Sequence, residues 1–116
     1  MSSEIQTLTR ALRTFAHERD WAQFHAPKNL ACALSVEAAE LLEHFQWLTE
    51  DQSRTLADAK KAQVATEVAD VFLYLLQLCD QLGIDPMAAA WSKLQANAEK
   101  YPVATARGTS KKYNEL

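Results

Sequence analysis

The sequence predicts an all-α protein built as one small domain. Apolar residues recur at intervals of three and four over most of its 116 residues, which is the period of an amphipathic helix. Only 2 glycines and 3 prolines are present, so we expect few turns and long helices. No segment alternates between apolar and polar residues as a half-buried strand does. Together these observations predict a four-helix bundle.

The first predicted helix runs from about Ser3 to Arg19, and the second from Lys28 to Leu48. The inner face of the first is marked by Ile5, Leu8, Leu12 and Phe15. The inner face of the second is marked by Leu30, Leu34, Leu41, Leu42 and Phe45. Pro27 separates the two helices, because proline disfavours helix in the residue before it and suits the first helical turn.

The third predicted helix continues through the apolar segment VATEVADVFLYLLQLCDQL, and the fourth reaches about Lys100. Gly83 is expected to end the third, since glycine readily adopts the left-handed conformation that follows many helices. Asp85 and Pro86 pair an N-cap with a proline at the first helical position. The polar segment 49–61 is expected to hold a turn and the first turns of the third helix. The fourth helix is expected to face inward with Met87, Ala90, Trp91 and Leu94.

The chain is expected to be one domain with a short tail. Residues 1–104 hold the helical periodicity and are assigned to the single domain. Residues 105–116 have little periodicity and are assigned to a partly ordered C-terminal tail.

Composition and charge limit the classes of partner. The formal net charge is −3, whereas a protein that binds a nucleic-acid backbone usually has a basic surplus. No segment approaches the roughly 20 apolar residues of a membrane span, and the N-terminus lacks the apolar run of a signal peptide. We therefore expect a cytoplasmic protein with neither nucleic acid nor membrane as a partner. Cys32 and Cys79 lie in apolar runs and are expected to be small buried residues.

Two acidic pairs interrupt helical faces that are otherwise apolar. Glu37 and Glu40 stand three residues apart on the second predicted helix, and Glu67 and Asp70 on the third. An i, i+3 pair projects both side chains to one side of its helix. Burying these carboxylates is unfavourable unless something compensates their charge. If the two helices pack antiparallel, all four carboxylates converge.

A divalent cation is the compensation that these residues favour. Oxygen ligands without a cysteine or histidine at ligand spacing suit Mg²⁺, with Mn²⁺ as a substitute, better than zinc or copper. A di-iron site is the competing possibility on a four-helix scaffold, but such sites use Glu-x-x-His pairs. No histidine follows any of the four acids at three residues. Two solvated acidic faces without a metal are the structural alternative.

Other residues are candidates for contact with a substrate that bears phosphates. Magnesium held by a few carboxylates completes its coordination with phosphate oxygens and water. Candidate phosphate contacts are Lys28, Lys93, Asn97 and Lys100, the last three on one face of the fourth predicted helix. Candidate partners for a flat ring are Trp21, Trp47 and Tyr74. Solvated lysines and core or interface aromatics are the alternative explanation for each.

With these residues assembled, the sequence resembles the MazG-like superfamily of all-α nucleotide pyrophosphohydrolases, and within it the dCTP pyrophosphatase subgroup. The superfamily is marked by E-x-x-E, a spacer and E-x-x-D, which the two acidic pairs match. The subgroup resemblance is carried by ERDWAQFHAPKNL, EAAELLEHFQW, EVADVFLYL, KLQANAEKYP and SKKYNEL. These segments span most of the chain from Glu18 to Leu116.

The resemblance implies a house-cleaning enzyme that hydrolyses a nucleoside triphosphate to the monophosphate and pyrophosphate. It implies that the catalytic Mg²⁺ ligands are Glu37, Glu40, Glu67 and Asp70. It implies that the base, sugar and phosphates contact Trp21, Trp47, Tyr74, Lys93 and Asn97. It also implies a homo-oligomer, a tetramer whose sites borrow residues from a neighbouring chain. Glu40 and Glu43 are both candidates for the general base.

Base preference is where the sequence matches the subgroup least. The subgroup has a histidine on its first helix that helps to hold the nucleotide, whereas this sequence has Leu12 and Arg13 in that region and His17 further on. The expected substrate is dCTP or a modified dCTP. The alternatives are the same chemistry on dUTP or another non-standard nucleotide, or a non-catalytic helical oligomer that binds nucleotides or a protein.

Overall fold

The computed structural model describes residues 3–116, and its regular structure is helical. The six α-helices are α1 (Ser3–Glu18), α2 (Pro27–Glu43), α3 (Glu50–Arg54), α4 (Asp58–Leu82), α5 (Pro86–Lys100) and α6 (Val103–Ala106). Two short 3-10 turns cover Ala22–Phe24 and Tyr113–Glu115. The described residues contain no strand. The prediction of an all-α protein is confirmed.

The predicted junction between α4 and α5 is confirmed residue by residue. Gly83 follows α4 in the left-handed conformation, with φ +67°, which glycine adopts without the steric penalty of a Cβ atom. The side chain of Asp85 accepts hydrogen bonds from the backbone N–H groups of Met87 and Ala88. Pro86 occupies the first turn of α5. Two long helices are therefore joined by a short, well-capped turn.

The end of α2 and the start of α4 differ from the prediction. α2 ends at Glu43 rather than Leu48, and residues 44–47 form turns. Thr49 then caps the separate helix α3 through a capping box, in which the Thr49 hydroxyl accepts from the Gln52 N–H and the Gln52 side chain accepts from the Thr49 N–H. This reciprocal pairing stabilises a new helix start. The segment expected to begin the third helix therefore forms a helix of its own.

The core lies between α2 and α4, with α1 packed on α4. Leu30 of α2 and Leu76 of α4 are the largest fully buried side chains among the described residues. Ala16 of α1 and Cys79 of α4 extend this core. Burial raises the pKa of the Cys79 thiol, as expected for a charge that would have to leave water. Cys32, by contrast, is exposed on α2, so the prediction that it is buried is wrong for the single chain.

α5 does not complete a four-helix bundle within the chain. In residues 3–116 it packs along neither α2 nor α4. Trp91 is 66% exposed and Leu94 is 58% exposed, so the expectation that this stripe faces inward is wrong within one chain. The apolar period correctly predicted a helix, but a period does not specify which surface covers the apolar face.

The accessible surface area and the radius of gyration are also larger than those of a compact domain. Its accessible surface is 8850 Å², whereas a compact monomer of its 13.0 kDa mass exposes roughly 6,300 Å². Its radius of gyration is 17.7 Å, against about 13 Å for a compact domain of this length. About 2,500 Å² of surface is therefore exposed that a closed fold would cover.

α4 is long and apolar enough to cross a membrane by length and composition alone, although no segment of the sequence was expected to approach a membrane span. It packs on α2 in this fold and carries Glu67 and Asp70 near its middle. Core helices of soluble proteins pass the same test.

The C-terminal tail contacts the end of α5. The rings of Tyr101 and Tyr113 meet edge to face with centroids 6.3 Å apart. The ammonium of Lys100 lies 5.0 Å from the centroid of the Tyr113 ring, within the range of a cation–π contact. The assignment of residues 105–116 to a separate tail stays a prediction.

Candidate functional site

The two acidic pairs meet where α2 and α4 pack. Ligand oxygens of Glu37, Glu67 and Asp70 all lie within 4.8 Å of one another. All three side chains are half-buried. The i, i+3 spacing places both acids of a pair on the same side of its helix, and the packing of α2 on α4 brings the two sides together. We call these three residues with Glu40 the carboxylate cluster.

Glu40 joins the cluster through Glu37. The Glu40 carboxyl, which is close enough to share a proton with the Glu37 carboxyl, is the largest cause that raises the pKa of Glu37 to about 7. Burial, the charge of Glu40, the neighbouring Glu67 carboxyl and the charge of Asp70 raise this pKa further. Two carboxyl groups this close retain a proton, because both cannot ionise without strong repulsion. Without a cation, the cluster is therefore partly protonated near neutral pH.

The carboxylate cluster has the character of a cation site. Glu37 Oε2 and Glu67 Oε2 are buried and accept no hydrogen bond in the described chain. Buried oxygens of this kind are costly unless a donor or a cation reaches them. The cluster offers carboxylate oxygens only, which suits Mg²⁺ or Mn²⁺. The residues present therefore fit a hard divalent cation.

A cavity of about 400 Å³ between α1 and α4 adjoins the cluster at Asp70. Trp21 and Tyr74 line it, as does Phe15, whose ring meets that of Trp21 at a centroid distance of 5.6 Å. Its other apolar walls are Leu8, Ala11, Leu12, Ala16 and Leu73. We call it the aromatic cavity. Its position brings two of the predicted ring-binding residues next to a predicted metal ligand.

Trp21 reaches this cavity because the chain turns sharply after α1. Asp20 takes a left-handed conformation with φ +54°, which aspartate tolerates better than most residues. The backbone N–H of Trp21 then donates to the carbonyl of Ala16 over 2.9 Å. This bond satisfies a carbonyl in the last turn of α1. The Trp21 ring is thereby fixed beside α1 instead of extending with the loop.

Three predicted substrate residues lie outside this site in the single chain. Trp47 follows α2 and is 87% exposed. Lys93 and Asn97 lie on α5, which packs on neither helix of the carboxylate cluster. None of the three lines the aromatic cavity beside the carboxylate cluster. Only part of the predicted nucleotide site is therefore assembled by one chain.

A second cavity of about 440 Å³ lies beside α1 and has a more polar wall. We call it the basic cavity, because Arg13, His17 and His25 line it. Arg13 donates two hydrogen bonds to Asp80 of α4, one of them from Nε to Oδ2 over 2.7 Å. These bonds and the charge of Asp80 raise the pKa of Arg13. The sequence does not predict this pair, since 67 residues separate the partners.

Gln77 was also missed, and His25, which the sequence groups with Trp21 and Phe24 as aromatic residues near the acidic face, was given no role. Both line the aromatic cavity and the basic cavity. A signal for Gln77 was present, because it stands seven residues after Asp70 and so returns to the same face of α4. His25 lies in a loop, where spacing predicts no direction.

Comparisons with known proteins agree on one family. The MazG-like family matches residues 32–116. Human dCTP pyrophosphatase 1 is 39% identical over 97% of this chain and 67% of its own length, and the bovine protein is 35% identical over 97% and 68%. The crystal structure of a pyrophosphatase from Archaeoglobus fulgidus superposes with a TM-score of 0.82 at 42% identity, covering 88% of this chain and 95% of that one. The chain belongs to the MazG-like family.

Proposed function

We propose that this protein is a Mg²⁺-dependent enzyme that converts dCTP or a modified dCTP to the monophosphate and pyrophosphate. The reaction class, nucleoside triphosphate pyrophosphohydrolase, follows from its family and from the relatives named dCTP pyrophosphatase 1. The choice of cytosine, the metal and the assembly are the proposed parts. Removing such nucleotides from the cellular pool would make it a house-cleaning enzyme.

The observation that carries the proposal is the carboxylate cluster. Three acids from two helices place ligand oxygens within 4.8 Å of one another, and two of those acids carry buried oxygens without a hydrogen bond. An arrangement that served only stability would pair these oxygens with donors. Glu37, Glu40, Glu67 and Asp70 would hold the cation. When bound, Mg²⁺ supplies charge that offsets the phosphate oxygens and the leaving pyrophosphate.

The residues of the chain have separate roles in the hydrolysis. A water molecule must add to the α-phosphorus, lose a proton and displace pyrophosphate. Glu40 and Glu43 are the candidates for the proton acceptor: Glu40 is half-buried within the cluster, and Glu43 is exposed one turn further along α2. Trp21 and Tyr74 would hold the base and sugar in the aromatic cavity, where apolar walls favour a flat ring.

A second copy of the chain would complete the site. Trp47, Lys93 and Asn97 lie away from the cluster in one chain, and the chain exposes about 2,500 Å² more than a compact monomer. That excess is of the size that stable oligomers bury. In a homo-oligomer, proposed as a tetramer, Lys93 and Asn97 of a neighbouring chain would reach the phosphates. We propose a cytoplasmic enzyme whose partners are nucleotides and its own copies, without nucleic acid or membrane. The formal net charge of −3 supports the part of this proposal that concerns nucleic acid, since it gives no basic surplus for a phosphate backbone.

Product analysis is the test of this proposal. Purified protein with Mg²⁺ is mixed with dCTP, dUTP and the other nucleoside triphosphates, and phosphorus NMR follows the products. We expect dCMP and pyrophosphate from dCTP, with no reaction when EDTA removes the cation. Orthophosphate and a diphosphate would contradict the reaction class. Faster hydrolysis of dUTP would favour the alternative substrate, and the absence of any product would favour a non-catalytic binding protein.

Mixed oligomers test the contribution of the second copy. Glu67→Gln damages the cluster and Lys93→Ala removes the proposed phosphate contact, so each variant alone should lose most activity. If the two residues serve the same site from different chains, mixing the variants restores part of it, because some sites receive Glu67 from one chain and Lys93 from the other. No recovery after mixing and verified subunit exchange would place both residues in one chain.

A further inference from the structure

Gln77 is one of two polar side chains of the aromatic cavity, with His25, that the proposed function leaves unused. It is half-buried on α4 and lines both cavities beside α1. Its carboxamide forms no hydrogen bond with any residue that the structure describes. Once a ligand displaces water from the cavity, a carboxamide without a partner becomes unfavourable. A ligand that fills this cavity must therefore pair with Gln77 or lose affinity.

Gln77 is aligned with the carboxylate cluster along α4. Asp70, Tyr74 and Gln77 follow one another at intervals of four and three residues, so they share one face, and all three line the aromatic cavity. Seven residues of helix place Gln77 about 10.5 Å from Asp70 along the axis. A nucleotide with its phosphates at Asp70 would direct its base toward Gln77, with its sugar near Tyr74.

The opposite wall offers the base no polar contact. From α1, the large side chains on the cavity are Leu8, Leu12 and Phe15, all apolar. Leu12 lines both cavities, as Gln77 does, and can only contact the face or rim of a ring. Recognition of the base edge must therefore come from α4 and the loop after α1.

We infer that Gln77 reads the Watson–Crick edge of the pyrimidine base. This inference rests on the proposed function, since it takes the phosphates to lie at the carboxylate cluster. The Gln77 carbonyl would accept a hydrogen bond from the exocyclic amino group of cytosine, while its NH₂ group donates to the ring nitrogen N3. Rotation of the terminal torsion exchanges donor and acceptor. Gln77 thus selects a base with a paired donor and acceptor, and it does not by itself separate cytosine from uracil.

Kinetics with a modified substrate test the contact. The probe is the dCTP analogue in which hydrogen replaces the exocyclic amino group. We expect the unmodified enzyme to prefer dCTP over this analogue by about tenfold in kcat/KM. In Gln77→Leu the two substrates should have about equal kcat/KM values, mainly because KM for dCTP rises. Gln81→Leu is the matched control, because Gln81 lies one turn further on α4 and lines only the basic cavity. A preference that survives in Gln77→Leu overturns the inference.

A binding measurement separates this inference from the proposed reaction. In ¹⁵N-labelled protein, the side-chain NH₂ signal of Gln77 is assigned by its loss in Gln77→Leu and followed while dCMP is added. We expect the signal to move with dCMP and much less with the monophosphate of the analogue. If it moves although dCTP is not hydrolysed, base reading holds and the proposed reaction fails. If dCTP is hydrolysed but the signal stays in place, the reaction holds and base reading fails.

Discussion

The α2–α4 pair and α5 both carry clear helical patterns, but α2 and α4 pack on each other within one chain, whereas the apolar face of α5 stays exposed. α2 and α4 bury Leu30 and Leu76 between them and assemble the carboxylate cluster. α5 is well capped at Asp85 but leaves Trp91 and Leu94 exposed. Local sequence forms both helices, whereas burial of an apolar face needs a second surface. Under the proposed function, one chain builds half of the site, and a second copy of the chain would build the other half.

The largest expected effect is the loss of the carboxylate cluster. Glu67→Gln keeps the size of the side chain but removes its charge, so the proposed metal loses a ligand. We expect the steady-state rate with dCTP to fall more than about 100-fold, since even outer partners of metal ligands contribute 10- to 100-fold. Circular dichroism should show an unchanged helix content.

Asp58→Asn is the control for this substitution. It also removes a carboxylate from α4, but Asp58 lies in the first turn of the helix, nine residues before Glu67, and is exposed. Its rate should stay within about twofold of the unmodified enzyme, as expected for a surface substitution. Normal turnover by Glu67→Gln would show that the cluster is not the catalytic centre.

The second largest expected effect concerns the exposed apolar face of α5. Leu94→Asp places a charge on the exposed apolar face of α5, which an interface would have to bury without a partner. We expect light scattering to show a shift from an oligomer toward the 13.0 kDa single chain, with a loss of activity at low protein concentration.

Ala89→Asp is the matched variant, since Ala89 is exposed about 140° away from Leu94 on the same helix. It should retain the mass and the activity of the unmodified protein. If Leu94→Asp remains a fully active oligomer, the apolar face of α5 has another role, and the site is complete without the surface that Leu94 belongs to.

A third effect measures the proton held in the cluster. Because the pKa of Glu37 is raised to about 7, a cation must displace a proton to bind below that pH. The Kd for Mn²⁺, measured by calorimetry, should fall about tenfold per pH unit up to about pH 7 and level off above it. Glu37→Gln should flatten the profile, and an equally steep profile in that variant would assign the proton elsewhere.

The proton on Glu37 should also affect the pH dependence of Tm when no cation is bound. Between the ordinary pKa of 4.5 and about 7, folded Glu37 binds more protons than unfolded Glu37. The stabilisation is therefore present below about pH 4.5 and is lost as pH rises through about 7. With EDTA present, the contribution of Glu37 should lower Tm on going from acidic to slightly basic pH, and Mg²⁺ should reverse the fall. A Tm that Mg²⁺ leaves unchanged above pH 7 would contradict cation binding.

The smallest effect concerns α1, which is held to α4 within the chain. Arg13→Leu removes the two hydrogen bonds to Asp80 while keeping apolar contact. The Arg13 side chain is 61% exposed, so solvent screens much of the attraction. We expect Tm to fall by a few degrees with oligomer mass unchanged. Restoration by Arg13→Lys should be partial, because lysine cannot form the two-bond contact.

The sequence predicted the long helices and the members of the cluster because both depend on short-range spacing. Gly83 and Asp85 act on neighbouring backbone groups, so their roles were confirmed. The break after α2 was missed because the capping box of Thr49 and Gln52 outweighed a continuing helical pattern. Arg13 and Asp80 were missed because a pair 67 residues apart leaves no periodic signal.

The sequence by itself determined that the protein is helical, where α4 stops, and which acids share a face, since these follow from hydrogen bonding and spacing within a few residues. Only the tertiary structure decided that Glu37 meets Glu67 and Asp70, that Trp21 and Tyr74 border the same cavity, and that α5 keeps an open apolar face. Helical periodicity states that a face must be covered. Which surface covers it depends on the relative placement of helices, and this depends on contacts far apart in the chain.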